Sequence, residues 1–204
     1  MSKIEIIDCE QGSPEWFQAR LGIPTASKFA TVMASGRGGA ESKTRLDYMC
    51  DLAGEIITGN PTESYSNPFM ERGKEQEDEA RRLYSFEKDA DLTRVGFVRN
   101  GAKGCSPDSL IGEKGALEVK STMARLLIKI MMRGDYPPEH KAQCQGTLWV
   151  TEREWIDIAI YCPKMPLFVE RIYRDEPYIQ QIAGAVADFN IELRQMVAKI
   201  RSMS

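Results

Sequence analysis

Asp108, Glu118 and Lys120 combine two carboxylates and an ammonium at a spacing that can bring them together. The stretch reads Ser106-Pro107-Asp108, then nine residues, then Glu118-Val119-Lys120. Residues two apart in a strand share a face, so Glu118 and Lys120 point the same way. Gly112-Glu113-Lys114-Gly115 reads as the turn of a hairpin. The hairpin brings Asp108 back beside the pair, and a register with Asp108 opposite Lys120 puts all three on one face. Two carboxylates in a partly buried site repel, and one pKa rises unless a cation neutralises them. A hard divalent ion does this, and Mg2+ suits a small carboxylate site completed by water and phosphate. Asp108, Glu118 and the Val119 carbonyl are its expected ligands. Such an ion polarises a phosphate and acidifies a bound water. Lys120 can hold that water and stabilise charge developing on the phosphorane oxygens. The bland alternative is a solvated Glu-x-Lys pair on a surface hairpin. Ser-Pro-Asp at hairpin spacing upstream weighs against it.

Two further positions are drawn toward this chemistry. Glu77 lies in a charged run, yet Met70, Gly73, Glu77, Ala80 and Tyr84 recur at helical spacing on the small and apolar side. A carboxylate pointing inward is costly unless paired or metal-bound, so Glu77 is either a metal-site acid or part of a buried salt bridge. Glu75, Asp78 and Glu79 are better placed for solvent. Gln143 and Gln145 sit on a predicted helix, and one of them can face the sheet and bond the nucleophilic water or a phosphate. The other reading is helix capping and surface polarity. His140, the sole histidine, takes a structural role.

The elements that must position these residues are legible as periodicities. Residues 4–8 read as a strand. Ser13 and Pro14 start a helix that Gly22 stops, and Thr25 to Ser27 start a second. Residues 36–39 are a basic glycine-rich loop matching no phosphate-loop motif. Ser42 caps a helix whose apolar face is Leu46, Met49, Ala53, Ile56 and Ile57, ending at Gly59. Residues 60–68 are turn-formers, and a long helix covers 69–86. Strands are predicted near 92–98, 108–111 and 116–120, helices at 121–133 and 139–150, and strands at 155–162 and 167–173. Asp175 caps a last helix with the stripe Tyr178, Ile182, Val186, Phe189, Leu193, Met196 and Ile200. The sum is an α/β (α+β) chain with a central mixed β-sheet flanked by helices.

Composition narrows the function classes. The chain has 204 residues, 42% hydrophobic and 28% charged, which suits one domain able to bury a core. Five scattered cysteines without a Cys-x-x-Cys pair argue against zinc ribbons, iron–sulfur clusters and disulfide frameworks. A single histidine excludes two-histidine metal sites. The formal net charge of −3 neither announces nor forbids a nucleic-acid partner. No apolar run approaches the ~20 residues that span a bilayer, and the first ten residues do not read as a signal peptide. A cytoplasmic protein without a membrane role is expected.

The chain resembles the lambda exonuclease/YqaJ family of phage recombination nucleases, within the PD-(D/E)xK superfamily. The resemblance spans roughly residues 8–190. It rests on Glu15-Trp16 through Arg20-Leu21-Gly22, Thr25-Ala26-Ser27, Arg72-Gly73-Lys74 with Glu77, Cys105-Ser106-Pro107-Asp108, Leu117-Glu118-Val119-Lys120, and Gln143-x-Gln145 with Trp149-Val150-Thr151. It implies a PD-(D/E)xK nuclease fold forming a single domain over residues 1–204, with a helical N-terminal part (1–90), a catalytic sheet core (91–173) and a C-terminal helix (175–201). It implies a Mg2+-dependent 5′-to-3′ exonuclease, with Mn2+ able to substitute, that digests one strand of linear duplex DNA and leaves a 3′ overhang for strand annealing. Asp108, Glu118 and Val119 would bind the metal, Lys120 would serve the attacking water, and Glu77 and Gln143 would complete the site. Arg20, Ser27 and Ser106 match positions that hold the 5′-phosphate, as suits bidentate guanidinium bonds and hydroxyl donors. For Arg20 alone, a helix-terminal surface cation is the alternative. Arg125 approximately matches a basic phosphate contact. The family also implies a homotrimeric ring, a single-strand annealing protein as partner, and a phage or prophage origin in a bacterial host cell. Tyrosine often stands in the family where this chain has His140. A related endonuclease or repair nuclease, or a DNA-end-binding protein without catalysis, are the competing readings.

Overall fold

The computed structural model describes residues 3–36, 42–62 and 68–203, with residues 68–75 as backbone. Most of the basic glycine-rich loop, much of the 60–68 loop, and the side chains of Met70, Arg72, Lys74 and Glu75 lie outside this description. The elements are β1 (Ile4–Ile7), α1 (Pro14–Arg20), α2 (Phe29–Val32), α3 (Lys43–Thr58), α4 (Pro68–Lys88), β2 (Leu92–Thr93), β3 (Phe97–Asn100), β4 (Gly104–Cys105), β5 (Ser109–Ile111) and β6 (Gly115–Ser121). Then come α5 (Ala124–Arg133), α6 (Lys141–Thr151), β7 (Trp155–Tyr161), β8 (Phe168–Tyr173) and α7 (Glu176–Arg201). Among the described residues no helix is long and apolar enough to cross a membrane.

The main sheet has the order β2-β5-β6-β7-β8 and is mixed: β6 and β7 are parallel, the other neighbours antiparallel. Parallel neighbours need a long crossover, and here it carries α5 and α6. Alternation along β6 sorts its side chains. Leu117 and Val119 pack with Ala80 and Tyr84 of α4, and Ala116 joins the larger core built with α6 and α7. Glu118 and Lys120 share the face of Ala116. With helices on both faces, β7 is buried from Ile156 to Tyr161.

Local chemistry accounts for the helix ends. The Ser13 hydroxyl accepts from the Trp16 N–H at 3.2 Å, and Asp175 accepts from the Tyr178 N–H at 3.1 Å, each satisfying an orphan donor. Gly59 closes α3 at φ 71°, the left-handed conformation favouring glycine.

Several expectations need correction. The span 92–98 is not one strand. Its two ends belong to different sheets, β2 to the main one and β3 to a small β1-β3-β4 sheet. Gly96 lies at the crossing, where a Cβ would come within 2.4 Å of the Cys9 carbonyl oxygen. The hairpin pairs Ser109 with Leu117 and Ile111 with Gly115. Continued by one residue, this sets Asp108 opposite Glu118 rather than Lys120. The parity is unchanged, so the three residues still share a face. Helix α5 starts at Ala124 rather than 121. The buried face of α3 includes Leu52, whereas Ile57 is 38% exposed; on α7, Ile200 is 45% exposed. Both residues sit near helix C-termini, where the helix runs beyond the surface it packs on.

Helix α6 is buried on nearly every side, which requires a small residue where other elements cross it. A Cβ at Gly146 would fall 2.4 Å from Phe29 Cδ2. Gly146→Ala is therefore expected to lower the unfolding free energy by about 2 kcal/mol through overpacking, read as a lower urea midpoint at unchanged slope.

Candidate active site

The antiparallel β5–β6 pair presents Asp108 and Glu118 side by side, and both are buried, at 8% and 3% exposure. The Val119 N–H donates to Asp108 Oδ2 at 2.5 Å, and the Asp108 N–H donates to the Leu117 carbonyl at 3.1 Å. Asp108 is thus fixed from both its backbone and its side chain. Glu118 Oε1 accepts from Lys120 Nζ at 2.7 Å and from Gln143 Nε2 at 2.5 Å. Glu118 Oε2 is buried with no hydrogen-bond partner among the described residues.

The electrostatics follow from this crowding. Burial pushes the Asp108 carboxyl well above the ordinary aspartate range, and repulsion from Glu118 and Glu77 adds to it. The Val119 N–H and Lys120 pull the other way and lose. For Lys120, burial pulls the ammonium down, but the charge and hydrogen bond of Glu118, with Asp108, overcome it and leave it above the ordinary range. Lys120 is therefore a fixed cation. The His140 imidazole is lowered by burial and by Lys120. An anionic oxygen buried without a donor is costly, and a hard divalent cation supplies the missing partner. The oxygens of Asp108 and Glu118 fit such an ion. Among the described residues no cluster of three or more His, Cys, Asp or Glu side chains gathers at one point, so water and substrate would complete the shell.

Glu77 sits on α4, which packs on the opposite face of the sheet, and its Oε1 is 2.9 Å from Arg81 Nη2. Arg81 was missed as a functional residue in the sequence, although it stands four positions after Glu77, where helical ion pairs form. Its guanidinium is nearly buried. It donates to the Asp108 carbonyl at 2.7 Å and to Asp78 Oδ1 at 2.7 Å. Asp78 is half exposed, as expected of a residue facing solvent, and also pairs with Arg81 and Arg94. Gln145 has no place in the site: it donates to the Tyr173 carbonyl at 2.8 Å and accepts from the Asp175 N–H at 2.9 Å, tying α6 to the start of α7.

A second group gathers around Arg20. Its guanidinium stacks on Trp16 at 4.0 Å, and Nη1 donates to the Ser106 hydroxyl at 3.3 Å. The Trp16 indole N–H donates to the same hydroxyl at 2.9 Å. Ser27 is exposed, its hydroxyl 3.3 Å from that of Thr25. Arg125 stands exposed in the first turn of α5. Neither Ser27 nor Arg125 is drawn to Arg20 by a contact. Arg20, Tyr48, Glu77, Arg81 and Asp108 line one cleft of 1030 Å³.

The raised pKa of Asp108 has a consequence for stability. In metal-free protein its ionisation opposes folding, so this contribution is absent below the ordinary aspartate pKa of about 3.9. Stability then falls as pH rises, until the loss is complete above the raised folded pKa. Asp108→Asn is expected to be more stable than wild type at pH 8 in EDTA by about 1 kcal/mol. The gap should close toward pH 4, as urea titrations at several pH values would show.

A model of the YqaJ-like viral recombinase domain matches residues 15–154. Among solved structures, an alkaline exonuclease from Laribacter hongkongensis is 32% identical, with a TM-score of 0.83 over 94% of this chain and 97% of that chain. The same exonuclease in complex with dAMP is 33% identical, with a TM-score of 0.84 and the same coverage. A phage-related exonuclease from Haemophilus somnus 129PT shares the fold at a TM-score of 0.66, with 14% identity over 87% of this chain and 96% of that chain. No curated protein sequence matches the chain. The matched domain takes in every motif from Glu15 through the Gln143 helix, and this chain belongs to the YqaJ-like viral recombinase family.

Proposed function

We propose that this protein is a divalent-metal-dependent exonuclease, using Mg2+ with Mn2+ able to substitute, that degrades one strand of linear duplex DNA from its 5′-phosphorylated end. The observation that carries this reading is the buried Asp108–Glu118 pair, with one partnerless carboxylate oxygen and Lys120 beside it. The similarity to proteins described as alkaline exonucleases, one in complex with dAMP, supports it. The 5′-to-3′ polarity, a 3′ overhang used for strand annealing, a homotrimeric ring and an annealing-protein partner in a bacterial host all follow from the family resemblance and belong to the proposal.

Asp108, Glu118 and the Val119 carbonyl would hold the cation, which when bound polarises the scissile phosphate and lowers the pKa of a water. The chain's own residues do the rest. Gln143 and Lys120 fix one oxygen of Glu118 and leave the other for the metal. The Val119 N–H and Arg81 fix Asp108 from two sides. Lys120, held protonated, positions the attacking water and meets the negative charge that grows on the phosphate oxygens. Glu77 supplies a third carboxylate near the site. Arg20, braced by Trp16, and Ser106 would receive a terminal phosphate, with Ser27 and Arg125 as outlying phosphate contacts.

Glu118→Gln and Lys120→Ala are each expected to lower the single-turnover rate on strand-labelled linear duplex by about a thousandfold. Both variants should still melt cooperatively, and EDTA should stop the wild-type enzyme. Activity close to wild type in either variant would refute the assignment, and cutting of covalently closed circles would replace the exonuclease with an endonuclease. Arg20→Ala is expected to lower the preference for 5′-phosphate over 5′-hydroxyl ends about tenfold or more; an unchanged preference removes Arg20 from the end pocket.

A further inference from the structure

Tyr48 lies on α3, outside every motif that the proposed mechanism uses, yet it lines the cleft together with Arg20 and Lys28. Its ring is held on two sides. It stacks on Phe189 of α7 at 5.7 Å and an interplanar angle of 28°, and the Lys28 ammonium lies 5.8 Å from its centre. The phenol oxygen accepts from the Thr25 N–H at 3.3 Å. The Thr25 side chain also donates to this oxygen, so the phenol meets Thr25 as an acceptor and keeps its own proton for a further partner. Thr25 is itself locked by a bridge to Gly104, next to Cys105 and Ser106. The hydroxyl is therefore fixed in place relative to the Arg20–Ser106 pair, rather than carried on a mobile side chain.

We infer that Tyr48 is a specificity residue of the end pocket, its phenol hydroxyl donating a hydrogen bond to the terminal phosphomonoester that Arg20 receives. The inference deepens the proposed function and rests on its end-pocket reading. A neutral donor pointed at an anion discriminates by its stronger bond to the charged end, because a hydroxyl-terminated strand offers only a neutral and more distant acceptor.

Tyr48→Phe keeps the ring and its stack on Phe189 and removes only the hydroxyl. The experiment measures single-turnover rates of the full-length enzyme on duplexes with 5′-phosphate and 5′-hydroxyl ends, with Arg20→Ala in parallel. The phosphate-to-hydroxyl rate ratio of Tyr48→Phe is expected to fall about tenfold. A purely structural role would lower both rates together and leave the ratio at the wild-type value, which overturns the inference. The Arg20→Ala arm separates the two claims. A ratio lost in Arg20→Ala but kept in Tyr48→Phe discards Tyr48 alone, and a ratio kept in both discards the pocket with it.

Discussion

Two carboxylates, Asp108 and Glu118, are pressed together inside the protein, and the rest of the site is arranged around their repulsion. Neither can spread into water, since both are almost wholly buried. One answer to like charges at close range is to keep a proton, and Asp108 is pushed in that direction. The other is a cation. Lys120 supplies one fixed positive charge, bonded to Glu118, and a partnerless oxygen on Glu118 leaves a place for another. A fold selected for stability alone gains nothing from such an arrangement. It is the stored strain expected where a metal is to be bound.

Holding that arrangement together is the work of the surrounding elements. The β5–β6 pairing brings the carboxylates into register, and β6 is locked on its far side by the parallel strand β7. From one face α6 sends Gln143 to Glu118. From the other, α4 sends Arg81 to the backbone of Asp108 while the same guanidinium holds Glu77. Arg81 is therefore a strut between α4 and the sheet. It spreads one positive charge over Glu77, Asp78 and a carbonyl, keeping an acidic helix close to an already acidic site.

The cleft reaches from Asp108 at this centre to a second, differently built group. Around Arg20 the chemistry is cationic and aromatic rather than carboxylic. In the proposed reading this separation divides the labour: one end grips the terminal phosphate, the other hydrolyses a phosphodiester. A chain with a net charge of −3 can still act on a polyanion when its few relevant cations are concentrated where phosphates must sit.

Much of this was legible in one dimension, because it depends on local rules. Helix caps at Ser13, Ser42 and Asp175, the stop at Gly59, and the strand-period pairing of Glu118 with Lys120 are set by neighbours a few residues away. The face shared by Asp108, Glu118 and Lys120 needed only parity, so it survived an error of two residues in the hairpin register. The small β1-β3-β4 sheet was not legible as a sheet, because its strands are two to four residues long and it depends on a crossing at Gly96 that the Cys9 backbone dictates. The roles of Arg81 and Tyr48 were hidden for the same kind of reason. In sequence each is an ordinary residue on a helical face. Their partners, the Asp108 carbonyl and the Thr25 N–H, lie on other elements, and only the packing of α4 and α3 against the sheet and the N-terminal loops brings them within bonding distance. Residue types and strand parity were enough to say which side chains could bind a hard cation and that they share a face. Their burial came only with packing, and burial turns a pair of carboxylates into a site by removing the water that would otherwise screen them.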